Sequence, residues 1–359
     1  MADYIILQTV APDYRKKLYE NIKEQLPLPF KVYAGLVYFE QTVQTDITIK
    51  NWNKIHNWFL FQRSFLIQFG MWSDVLNCKV LVVEMNPRII SNWVILILRK
   101  LFGKKTILWG HAWPRAGMDS RTNSIRSVMR KLGDAVIVYT KSQMQELKAK
   151  ESHLIVEYAP NALYYDHEMR ASAQQDAIGI NNLIYVGRLT KAKKPLTLLK
   201  GFHMALAYLV NGEMLYFVGD GEEREALERY IREHALGNRV ILTGHIADYS
   251  RLEELYATSL FSVSPGYIGL SVTQSFGFGV PMLVSRNENH SPELEAVEEG
   301  FNAVFFETDD LAHLKQSILD IFAKKGEWVT KRTDICERCR KNYSINAMAK
   351  AFVKVFNKY

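Results

Sequence analysis

Short apolar runs alternate with amphipathic helical patterns along almost the whole chain. In the first half the apolar runs read YIILQTV, KVLVVE, TILWGH, AVIVY and LIVEY. The second half repeats the alternation more cleanly, with NLIYVGR, MLYFVGDG, RVILTGH, LFSVSP, PMLVSR and NAVFFE. Between these runs lie segments with helical spacing, such as YRKKLYENIKEQL and DDLAHLKQSILDIFAKK. Short strands that alternate with helices predict parallel sheets of the doubly wound α/β class.

The length of the chain indicates that two such sheets are present. Its 359 residues exceed the roughly 250–300 residues that one hydrophobic core usually serves. We expect two Rossmann-like domains, joined near residues 165–180 in the polar segment HEMRASAQQDAIGINN. Because ligands of such sheets bind at the carboxyl ends of the strands, we expect the chemistry in the loops that follow strands.

Positive charge is concentrated in the first half of the chain. The formal net charge is +7. Residues 1–175 contain 23 Lys and Arg against 15 Asp and Glu, a net charge of +8, whereas residues 176–359 contain 22 against 23. A basic half of this kind is typical of proteins that bind nucleic acid, an anionic membrane surface or a phosphorylated substrate. A solvated face without a partner is the remaining interpretation.

Aromatic residues cluster in the segment NWNKIHNWFLFQRSFLIQFGMW, residues 51–72. It contains seven of them, and six of the chain's seven tryptophans precede residue 115. Beside a basic surface, such a segment is typical of an amphipathic helix at a membrane interface. The same pattern equally suits a core helix of the first domain. Both interpretations make residues 51–72 helical.

Several motifs with defined chemistry are missing from the sequence. There is no G-x-x-x-x-G-K-[ST] phosphate loop, no G-x-G-x-x-G after the first strand and no H-E-x-x-H. A D-x-D pair, which would hold a metal against a nucleotide diphosphate, is also lacking. Cys336 and Cys339 form a C-x-x-C without a second pair or neighbouring histidines, and we interpret it as a chance pair at the surface. We therefore expect neither a metal nor a cofactor.

The amino-terminal residues and the cysteine count bear on the cellular compartment. The start MADYIILQTVAPDY lacks the basic segment of a signal peptide, and three cysteines are too few for a disulfide framework. The longest apolar stretch, ISNWVILILRKLF, is interrupted by Asn92, Arg99 and Lys100 and is shorter than the ~20 residues of a membrane span. We expect a cytoplasmic protein.

A basic loop follows the predicted strand NLIYV. In GRLTKAKKP, residues 187–195, Arg188 stands at the carboxyl end of the strand and Lys193 lies near the start of the next helix. A guanidinium and an ammonium that converge at such a loop suit a diphosphate, whose charge is spread over several oxygens. A solvated basic turn is the alternative interpretation.

The glycine-rich stretch GYIGLSVTQSFGFGVPMLV, residues 266–284, joins two further predicted strands. A helix is expected to begin at Leu270 or Ser271, and free backbone N–H groups at a helix start bind anions. Gly269 would let a phosphate approach closely. Helix capping by Ser271 in a tight turn is the alternative. Since this loop and the basic loop belong to one domain, a single diphosphate would contact both.

From about residue 182 to 325 the sequence resembles the donor-binding domain of the retaining GT-B glycosyltransferases of group 4, also described as glycosyl transferases group 1. The resemblance rests on GRLTKAK, on VGDGEEREALE, on RVILTGHI followed by LEELYATSLFSVSP, and on GLSVTQSFGFGVP, which occur in the family's order and close to its spacing. LWGHAWPR, residues 108–115, is similar to a W-G-H-G stretch of bacterial surface-polysaccharide transferases.

The resemblance implies the GT-B fold. In that fold two Rossmann-like, doubly wound domains have the active site in the cleft between them, and a C-terminal helix crosses back to the first domain. Here the acceptor-binding domain would comprise residues 1–175, the nucleotide-sugar donor-binding domain residues 176–342, and the returning helix residues 343–359.

The resemblance also implies roles for individual residues. Arg188 and Lys193 would neutralise the donor diphosphate and stabilise it as it leaves, and His111 would reach the donor sugar or the transferred oxygen. Backbone groups of 270–272 would hold the phosphates, and 244–246 would border the base. The implied donor-binding residues are Gly187, Gly244, His245, Ile246, Gly269, Leu270, Ser271, Val272 and Gln274.

The sequence departs from the family at two positions. The family has two glutamates eight positions apart beside the G-F-G turn, and here these positions hold Gly266 and Gln274. Gln274 retains a carbonyl acceptor for the ribose that the second glutamate usually binds, whereas Gly266 offers only backbone near the transferred sugar. Glu288 or Glu293 is a candidate replacement, and Glu293 is equally explained as a first-turn helix carboxylate.

Together these features predict a metal-independent, retaining glycosyltransferase of the hexosyltransferase type. It would transfer a sugar from a nucleotide diphosphate to a lipid-linked or oligosaccharide acceptor in bacterial cell-surface polysaccharide biosynthesis, with peripheral association at the anionic inner face of the membrane. A nucleotide-sugar epimerase and a non-catalytic scaffold subunit on the same fold are the alternatives. A nucleic-acid partner is disfavoured because no recognition module is visible in the sequence.

Overall fold

Two parallel β-sheets organise the chain, one in each of two structural units. The structure is a computed structural model that describes residues 3–40, 43–114, 117–171, 179–209 and 212–359. The first unit comprises Met1–Leu163 and Ser344–Tyr359, and the second comprises Tyr164–Tyr343.

The first unit contains nine strands among its described residues. They are β1 (Tyr4–Val10), β2 (Phe30–Gly35), β3 (Trp52–Lys54), β4 (His56–Leu60), β5 (Phe65–Phe69), β6 (Val80–Glu84), β7 (Lys105–Trp109), β8 (Ala135–Val138) and β9 (Ile155–Tyr158). Seven of them form a parallel sheet in the order β3-β2-β1-β6-β7-β8-β9, and β4 and β5 pair separately as an antiparallel hairpin. The α-helices are α1 (Lys16–Gln25), α2 (Trp72–Asn77), α3 (Ile90–Leu101), α4 (Asn123–Leu132), α5 (Lys141–Lys150) and α13 (Ile345–Phe356).

The second unit contains a six-stranded parallel sheet within the part of the chain that the structure describes. Its strands are β10 (Asn182–Val186), β11 (Met214–Val218), β12 (Val240–Gly244), β13 (Ser259–Ser264), β14 (Met282–Ser285) and β15 (Ala303–Phe306). Its α-helices are α6 (Pro195–Ala205), α7 (Arg224–Glu233), α8 (Tyr249–Thr258), α9 (Ser271–Gly277), α10 (Leu311–Ala323), α11 (Lys325–Thr330) and α12 (Arg332–Tyr343). The strand order is β12-β11-β10-β13-β14-β15.

Both sheets are doubly wound, which confirms the predicted class. In each sheet the strand order reverses beside the first strand, between β1 and β6 in the first unit and between β10 and β13 in the second. Ligands of doubly wound folds bind outside the carboxyl ends of the strands at such a switch point. The strands assemble because they are short apolar runs buried on both faces, as in β6 (VLVVE), β8 (AVIV) and β13 (SLFSVS).

The carboxyl-terminal helix α13 belongs to the first unit, which confirms that the chain returns to its first domain. Its apolar face packs on α1 and on the sheet. The ring of Phe352 lies 4.7 Å from that of Trp109, and the ring of Phe356 lies 5.0 Å from that of Tyr4, both edge to face. Two such aromatic pairs anchor the helix to the first unit although nearly two hundred residues separate it from that unit's last strand.

The prediction of a helix over residues 51–72 is wrong. The segment forms β3, the hairpin β4–β5 and the start of α2. Its side chains alternate with a period of two: Asn57, Leu66 and Gln68 lie inward or are buried, while Trp58 and Phe69 are exposed. A run that is apolar on both faces of a strand shows no apolar/polar period, so the sequence pattern does not distinguish strand from helix here.

None of the helices in the described residues combines the length and the hydrophobicity that a membrane crossing needs. The apolar stretch that includes Asn92, Arg99 and Lys100 forms α3, a helix of twelve residues. Asn92 and Arg99 are buried, and the Arg99 guanidinium donates to the Thr106 hydroxyl at 2.9 Å. These polar side chains fasten α3 to the sheet of the first unit.

Candidate functional site

Three loops meet backbone to backbone at the carboxyl ends of β10, β11 and β12. The Gly187 N–H donates to the Val218 carbonyl at 3.0 Å, and the Gly219 N–H donates to the Gly244 carbonyl at 2.9 Å. A Cβ on Gly219 would lie 1.9 Å from the Gly187 carbonyl oxygen, and Gly219 has a φ of +146°. Glycine is therefore required at this crossing of the loops that follow β10 and β11.

Arg188 follows directly, on a loop that its neighbours hold in place. Its side chain is exposed, and the Tyr185 hydroxyl donates to its carbonyl at 2.7 Å. The next residue, Leu189, is buried and its N–H donates to the Asp220 carbonyl at 2.9 Å. The guanidinium thus extends into solvent from a backbone that is fixed on both sides.

Lys193 lies at the end of a single 3-10 turn, Lys191–Lys193. The next residue, Lys194, has a left-handed φ of +51°, and Pro195 then begins α6. The Lys193 N–H donates to the Thr190 carbonyl at 2.9 Å. Because proline fixes the first helical position and has no N–H to satisfy, the chain turns sharply here and directs Lys193 toward the neighbouring loop.

The Lys193 ammonium contacts the glycine-rich loop directly. Its Nζ donates to the Tyr267 carbonyl at 2.7 Å and lies 3.8 Å from the centroid of the Tyr267 ring. Burial and, to a smaller extent, the positive charge of Arg188 lower the pKa of Lys193 to about 8, with the carboxylate of Glu293 opposing both effects. The two loops that the sequence analysis singled out are therefore joined by a lysine whose pKa lies well below its ordinary value.

Gly266 has no room for a side chain. A Cβ at this position would lie 2.4 Å from the Ala192 carbonyl oxygen and 2.8 Å from the Cα of Lys193. The backbone that carries Lys193 thus occupies the place of a side chain at 266. Gly269 differs, because a Cβ there would meet the Lys193 Nζ and the Ser291 Oγ at 3.8 Å, an ordinary contact distance.

The helix α9 begins at Ser271, one of the two positions that the sequence predicts, and has seven residues. Leu270 occupies its N-cap position, and the Ser271 side chain does not cap it. The Val272 N–H donates to the Gly269 carbonyl at 3.1 Å. The start of α9 is therefore a tight turn built around Gly269, beside the Lys193 ammonium.

His290 and Ser291 hold this turn from the opposite side, and the sequence analysis missed both. The His290 Nδ1 accepts from the Ile268 N–H at 3.2 Å, and its Nε2 donates to the Ser285 carbonyl at 2.9 Å. The Ser291 hydroxyl donates to the Ile268 carbonyl at 2.6 Å. Burial lowers the pKa of His290, which favours the neutral ring that this pair of bonds requires. The available signal was the polar loop NENHS after the strand PMLVS.

Glu288 and Glu293, the candidate replacements for the missing glutamate, both have partners. The Glu288 carboxylate lies 2.7 Å from the Lys194 ammonium. Glu293 is buried in the first turn of a 3-10 helix, Pro292–Ala296, and one of its oxygens lies 2.5 Å from the Ser291 hydroxyl. Its charge also acts on Lys193. Glu293 thus supports the loop that carries the turn.

Gln274 lies on α9 and contacts the first residue of the second unit. Its Nε2 donates to the Tyr164 hydroxyl at 2.7 Å. The Tyr164 ring packs edge to face on the rings of Tyr249 and Phe278, and burial raises the pKa of Tyr164 to about 12. Because the side-chain N–H of Gln274 donates to Tyr164, the side-chain carbonyl oxygen of Gln274 is the atom that can accept from a ligand hydroxyl.

The segment 244–246 ends β12. Gly244 has a φ of +75°, His245 is exposed and Ile246 is partly buried against the Tyr164 cluster. The Arg224 guanidinium lies 3.8 Å from the position that a Cβ on Gly244 would take. This segment borders the loop crossing formed by Gly187 and Gly219.

His111 belongs to the first unit, where it follows β7 at the carboxyl edge of that sheet. Its side chain is exposed, and its ring lies 4.8 Å from that of Tyr139. The Arg126 guanidinium donates to its carbonyl at 3.1 Å. The first unit thus presents His111 at the edge where ligands of doubly wound sheets bind.

The interpretation of Cys336 and Cys339 as a chance pair at the surface is wrong. Both are buried in α12. The Cys336 Sγ donates to the Gly277 carbonyl at 3.2 Å, and the Cys339 Sγ donates to the Thr273 carbonyl at 3.4 Å. The two thiols pack α12 against α9. Across the described residues, no group of three or more His, Cys, Asp and Glu side chains could hold a metal ion.

Comparison with known proteins identifies the second unit. Residues 174–342 match the family model described as Glycosyl transferases group 1. No curated protein matches the sequence. Three solved structures illustrate the similarity of the whole chain, and each shares too few identical residues to show more than the fold.

The first is Anabaena HepE in complex with UDP, with 14% identity, a TM-score of 0.69, and coverage of 99% of this chain and 100% of that chain. The second is sucrose-phosphate synthase from Thermosynechococcus elongatus, with 17% identity, a TM-score of 0.66, and coverage of 99% and 98%. The third is the pneumococcal O-GlcNAc transferase GtfA in complex with UDP and GlcNAc, with 13% identity, a TM-score of 0.66, and 99% coverage of both chains. Residues 174–342 thus carry a glycosyl transferases group 1 domain within a chain that has the GT-B fold.

Proposed function

We propose that this protein is a retaining glycosyltransferase that moves a sugar from a nucleotide diphosphate donor to an acceptor hydroxyl. The observation that carries the proposal is the Lys193 ammonium, which lies against the Tyr267 carbonyl and beside Gly269 at the switch point of the matched domain. A cation at a glycine turn suits a phosphate group. That HepE and GtfA were solved with UDP supports a nucleotide diphosphate as the ligand.

The donor diphosphate would lie between Arg188 and Lys193. The exposed guanidinium of Arg188 can bind two oxygens at once, and the Lys193 ammonium can exchange the Tyr267 carbonyl for a phosphate oxygen. Since the Val272 N–H donates to Gly269, we assign the backbone contacts to the phosphates first to Leu270 and Ser271. The further donor contacts that we propose are Gly187 and Gly269 beside the phosphates, the Gln274 carbonyl on the ribose, and Gly244, His245 and Ile246 beside the base.

We assign acceptor binding to the first unit. Its net positive charge is suited to a lipid-linked saccharide, whose diphosphate is anionic. His111, exposed at the carboxyl edge of the sheet, is the residue that we propose to meet the transferred sugar. A lipid-linked acceptor implies assembly of cell-surface polysaccharide at the inner face of a bacterial membrane, with the protein bound peripherally.

The proposed chemistry is a substitution at the anomeric carbon with retention of configuration. The bond from that carbon to the diphosphate oxygen breaks, and a bond to the acceptor oxygen forms on the same face. The acceptor proton passes to the departing phosphate oxygen, so that charge and atoms balance. Arg188 and Lys193 stabilise the charge that develops on the diphosphate, which we propose as the main catalytic effect and as the reason that no metal is needed.

A non-transferring protein on the same fold is the second candidate. The observation that favours it is Gly266, where the backbone of residues 192–193 leaves no space for a carboxylate beside the donor sugar. An epimerase would convert the nucleotide sugar without an acceptor, and a scaffold subunit would leave the donor unchanged. Incubating the protein with nucleotide sugars, with and without a lipid-linked acceptor, separates these outcomes from transfer.

Nucleotide diphosphates are expected to stabilise the protein against heat without a metal. A ligand at 100 times its dissociation constant adds about 2.7 kcal/mol to the free energy of unfolding, which raises the melting temperature by a few degrees. The measurement is thermal unfolding with nucleoside diphosphates and nucleotide sugars, in EDTA and in magnesium. The matching monophosphate, which lacks the second phosphate group, is the control. Equal shifts from monophosphate and diphosphate would contradict the assignment of Arg188 and Lys193.

Diphosphate affinity is expected to fall as the pH rises from about 7 to 9.5. The pKa of Lys193 is lowered to about 8, so its ammonium is charged below that pH and is lost above it. Each pH unit above this pKa reduces affinity by up to about tenfold, until the amine is neutral in the complex as well. The measurement is a calorimetric titration with nucleoside diphosphate in EDTA. Lys193→Arg keeps its charge over this range and should give a flat profile; a wild-type profile as flat as that of the variant would contradict the prediction.

A further inference from the structure

Hairpin β4–β5 of the first unit has an apolar outer face. Its two strands pair Trp58 with Ile67 and Leu60 with Phe65, so that these four side chains share one face of the hairpin. Trp58, Phe65 and Phe69 are exposed on this face, whereas Leu66 and Gln68 on the other face are fully buried. A hairpin that covers the core with one face normally presents polar side chains on the other.

The turn of the hairpin exposes a phenylalanine and carries two arginines that are held in place. Phe61, Gln62 and Arg63 all have left-handed φ values, of 49°, 50° and 65°, and Phe61 is 77% exposed. The Arg63 guanidinium lies 3.7 Å from the centroid of the Phe59 ring. The Arg88 Nε donates to the Ser64 carbonyl at 2.8 Å. Hydrogen bonds and ring stacking therefore fix two cations at the turn that exposes Phe61.

Helices α3 and α4 are neighbours of the hairpin and also expose apolar side chains. The strand β5 packs along α3, where the Gln68 N–H donates to the Ser91 hydroxyl at 3.3 Å. The carboxyl ends of α3 and α4 meet, since the Lys100 ammonium donates to the Lys131 carbonyl at 3.3 Å. Each helix has an exposed apolar stripe with helical spacing. The stripes consist of Val94, Ile97, Leu101 and the following Phe102 on α3, and of Ile125 and Val128 on α4.

The surroundings of these apolar residues are strongly basic. From the start of β3 to the end of α4, residues 52–132, the sequence has 13 Lys and Arg and three acidic residues. Two of those acids are engaged within the unit: Asp74 pairs with Lys31 at 3.4 Å, and Glu84 accepts from the Thr9 N–H at 3.1 Å. The cations Lys100, Arg121 and Lys131 are exposed beside the stripes of the helices.

We propose that the outer face of hairpin β4–β5, with the apolar stripes of α3 and α4, docks on an anionic lipid bilayer. Aromatic side chains favour the interface of a bilayer, and the fixed and exposed cations are attracted to anionic headgroups. A second copy of this chain would bring a face of the same charge, which charge complementarity disfavours. The inference deepens the proposed function and rests on it for the peripheral association, for which it names the surface; it is tested separately, since a bilayer can hold this face whether or not the second unit binds a nucleotide.

The test is co-sedimentation of the full chain with vesicles of phosphatidylcholine alone or with about 30% phosphatidylglycerol. We expect at least tenfold tighter binding to the anionic vesicles and loss of most of that gain in about 0.5 M NaCl. The double variants Trp58→Glu with Phe61→Glu, and Ile97→Glu with Leu101→Glu, should each reduce partitioning roughly tenfold or more, because each removes apolar area and adds like charge.

The matched control is Met204→Glu with Tyr208→Glu, which changes exposed apolar side chains of the second unit and should bind vesicles as the wild type does. Each variant is first shown to keep the wild-type melting temperature and nucleotide response. Absence of wild-type binding, or equal binding to neutral and anionic vesicles, would overturn the proposal. So would a dimer that the Trp58 and Phe61 variant dissociates, since the face would then join two copies. Vesicle binding without any nucleotide response would instead count against the proposed function alone.

Discussion

Lys193→Ala is expected to lower turnover by about 10²–10³-fold and to abolish most of the metal-free stabilisation by nucleoside diphosphates. The reason is that the Lys193 ammonium is the group that joins the basic loop to the glycine turn, where its Nζ lies 2.7 Å from the Tyr267 carbonyl. Loss of this cation leaves Arg188 alone to balance the diphosphate. The measurements are initial rates with donor and acceptor, and nucleotide titrations of the melting temperature.

Lys191→Ala is the matched control for this prediction. Lys191 lies in the same 3-10 turn as Lys193, and its side chain is exposed. Its replacement by alanine therefore changes the net charge equally but removes no contact with the glycine turn at Gly269. We expect turnover within about twofold of the wild type. Lys193→Arg should keep part of the nucleotide response, because the charge remains while the length and shape of the side chain change. Wild-type turnover in Lys193→Ala would contradict the assignment of Lys193 to the donor diphosphate.

Gly266→Ala is expected to destabilise the protein by about 1–3 kcal/mol and to weaken nucleotide binding at the same time. The added Cβ would lie 2.4 Å from the Ala192 carbonyl oxygen and 2.8 Å from the Cα of Lys193. These are backbone atoms, so they cannot turn away as the end of a flexible side chain would. Relief of the overlap must displace the segment that positions Lys193. Both effects are measured by thermal unfolding with and without nucleotide.

Gly269→Ala is the control, because its Cβ would meet the Lys193 Nζ and the Ser291 Oγ at 3.8 Å without overlap. It should unfold close to the wild-type temperature. The same geometry bears on any attempt to restore a glutamate at 266. We expect Gly266→Glu to lose stability like Gly266→Ala and to gain no activity. A Gly266→Glu protein with wild-type stability and raised turnover would contradict this account and would favour the view that the natural chain has lost catalysis.

The doubly wound fold could be predicted from the sequence because the patterns that indicate its strands and helices each lie within a short segment of the chain. Strands such as VLVVE and NLIYV are short apolar runs bounded by turns, and the intervening helices show helical spacing. The same local order placed Arg188 after a strand and the start of α9 at Leu270 or Ser271, and the structure has Arg188 after β10 and α9 beginning at Ser271. The aromatic segment 51–72 is the exception. Its strands are apolar on both faces, so the period of two shows only in which side chains the structure buries, and the aromatic content favoured a helix at a membrane or in the core.

The sequence by itself determined the two parallel sheets, the loops at their carboxyl ends and the residue types in those loops. Only the tertiary structure decided which of these residues meet. Lys193 contacts a carbonyl 74 positions away, and Gln274 donates to a hydroxyl 110 positions away. Residue 266 likewise has no space for a side chain, because the backbone of Ala192 and Lys193, which are distant in sequence, occupies that space. Apolar periodicity is set by neighbours along the chain, whereas contacts between loops depend on strand order and on the packing of backbone against backbone, which no local pattern records.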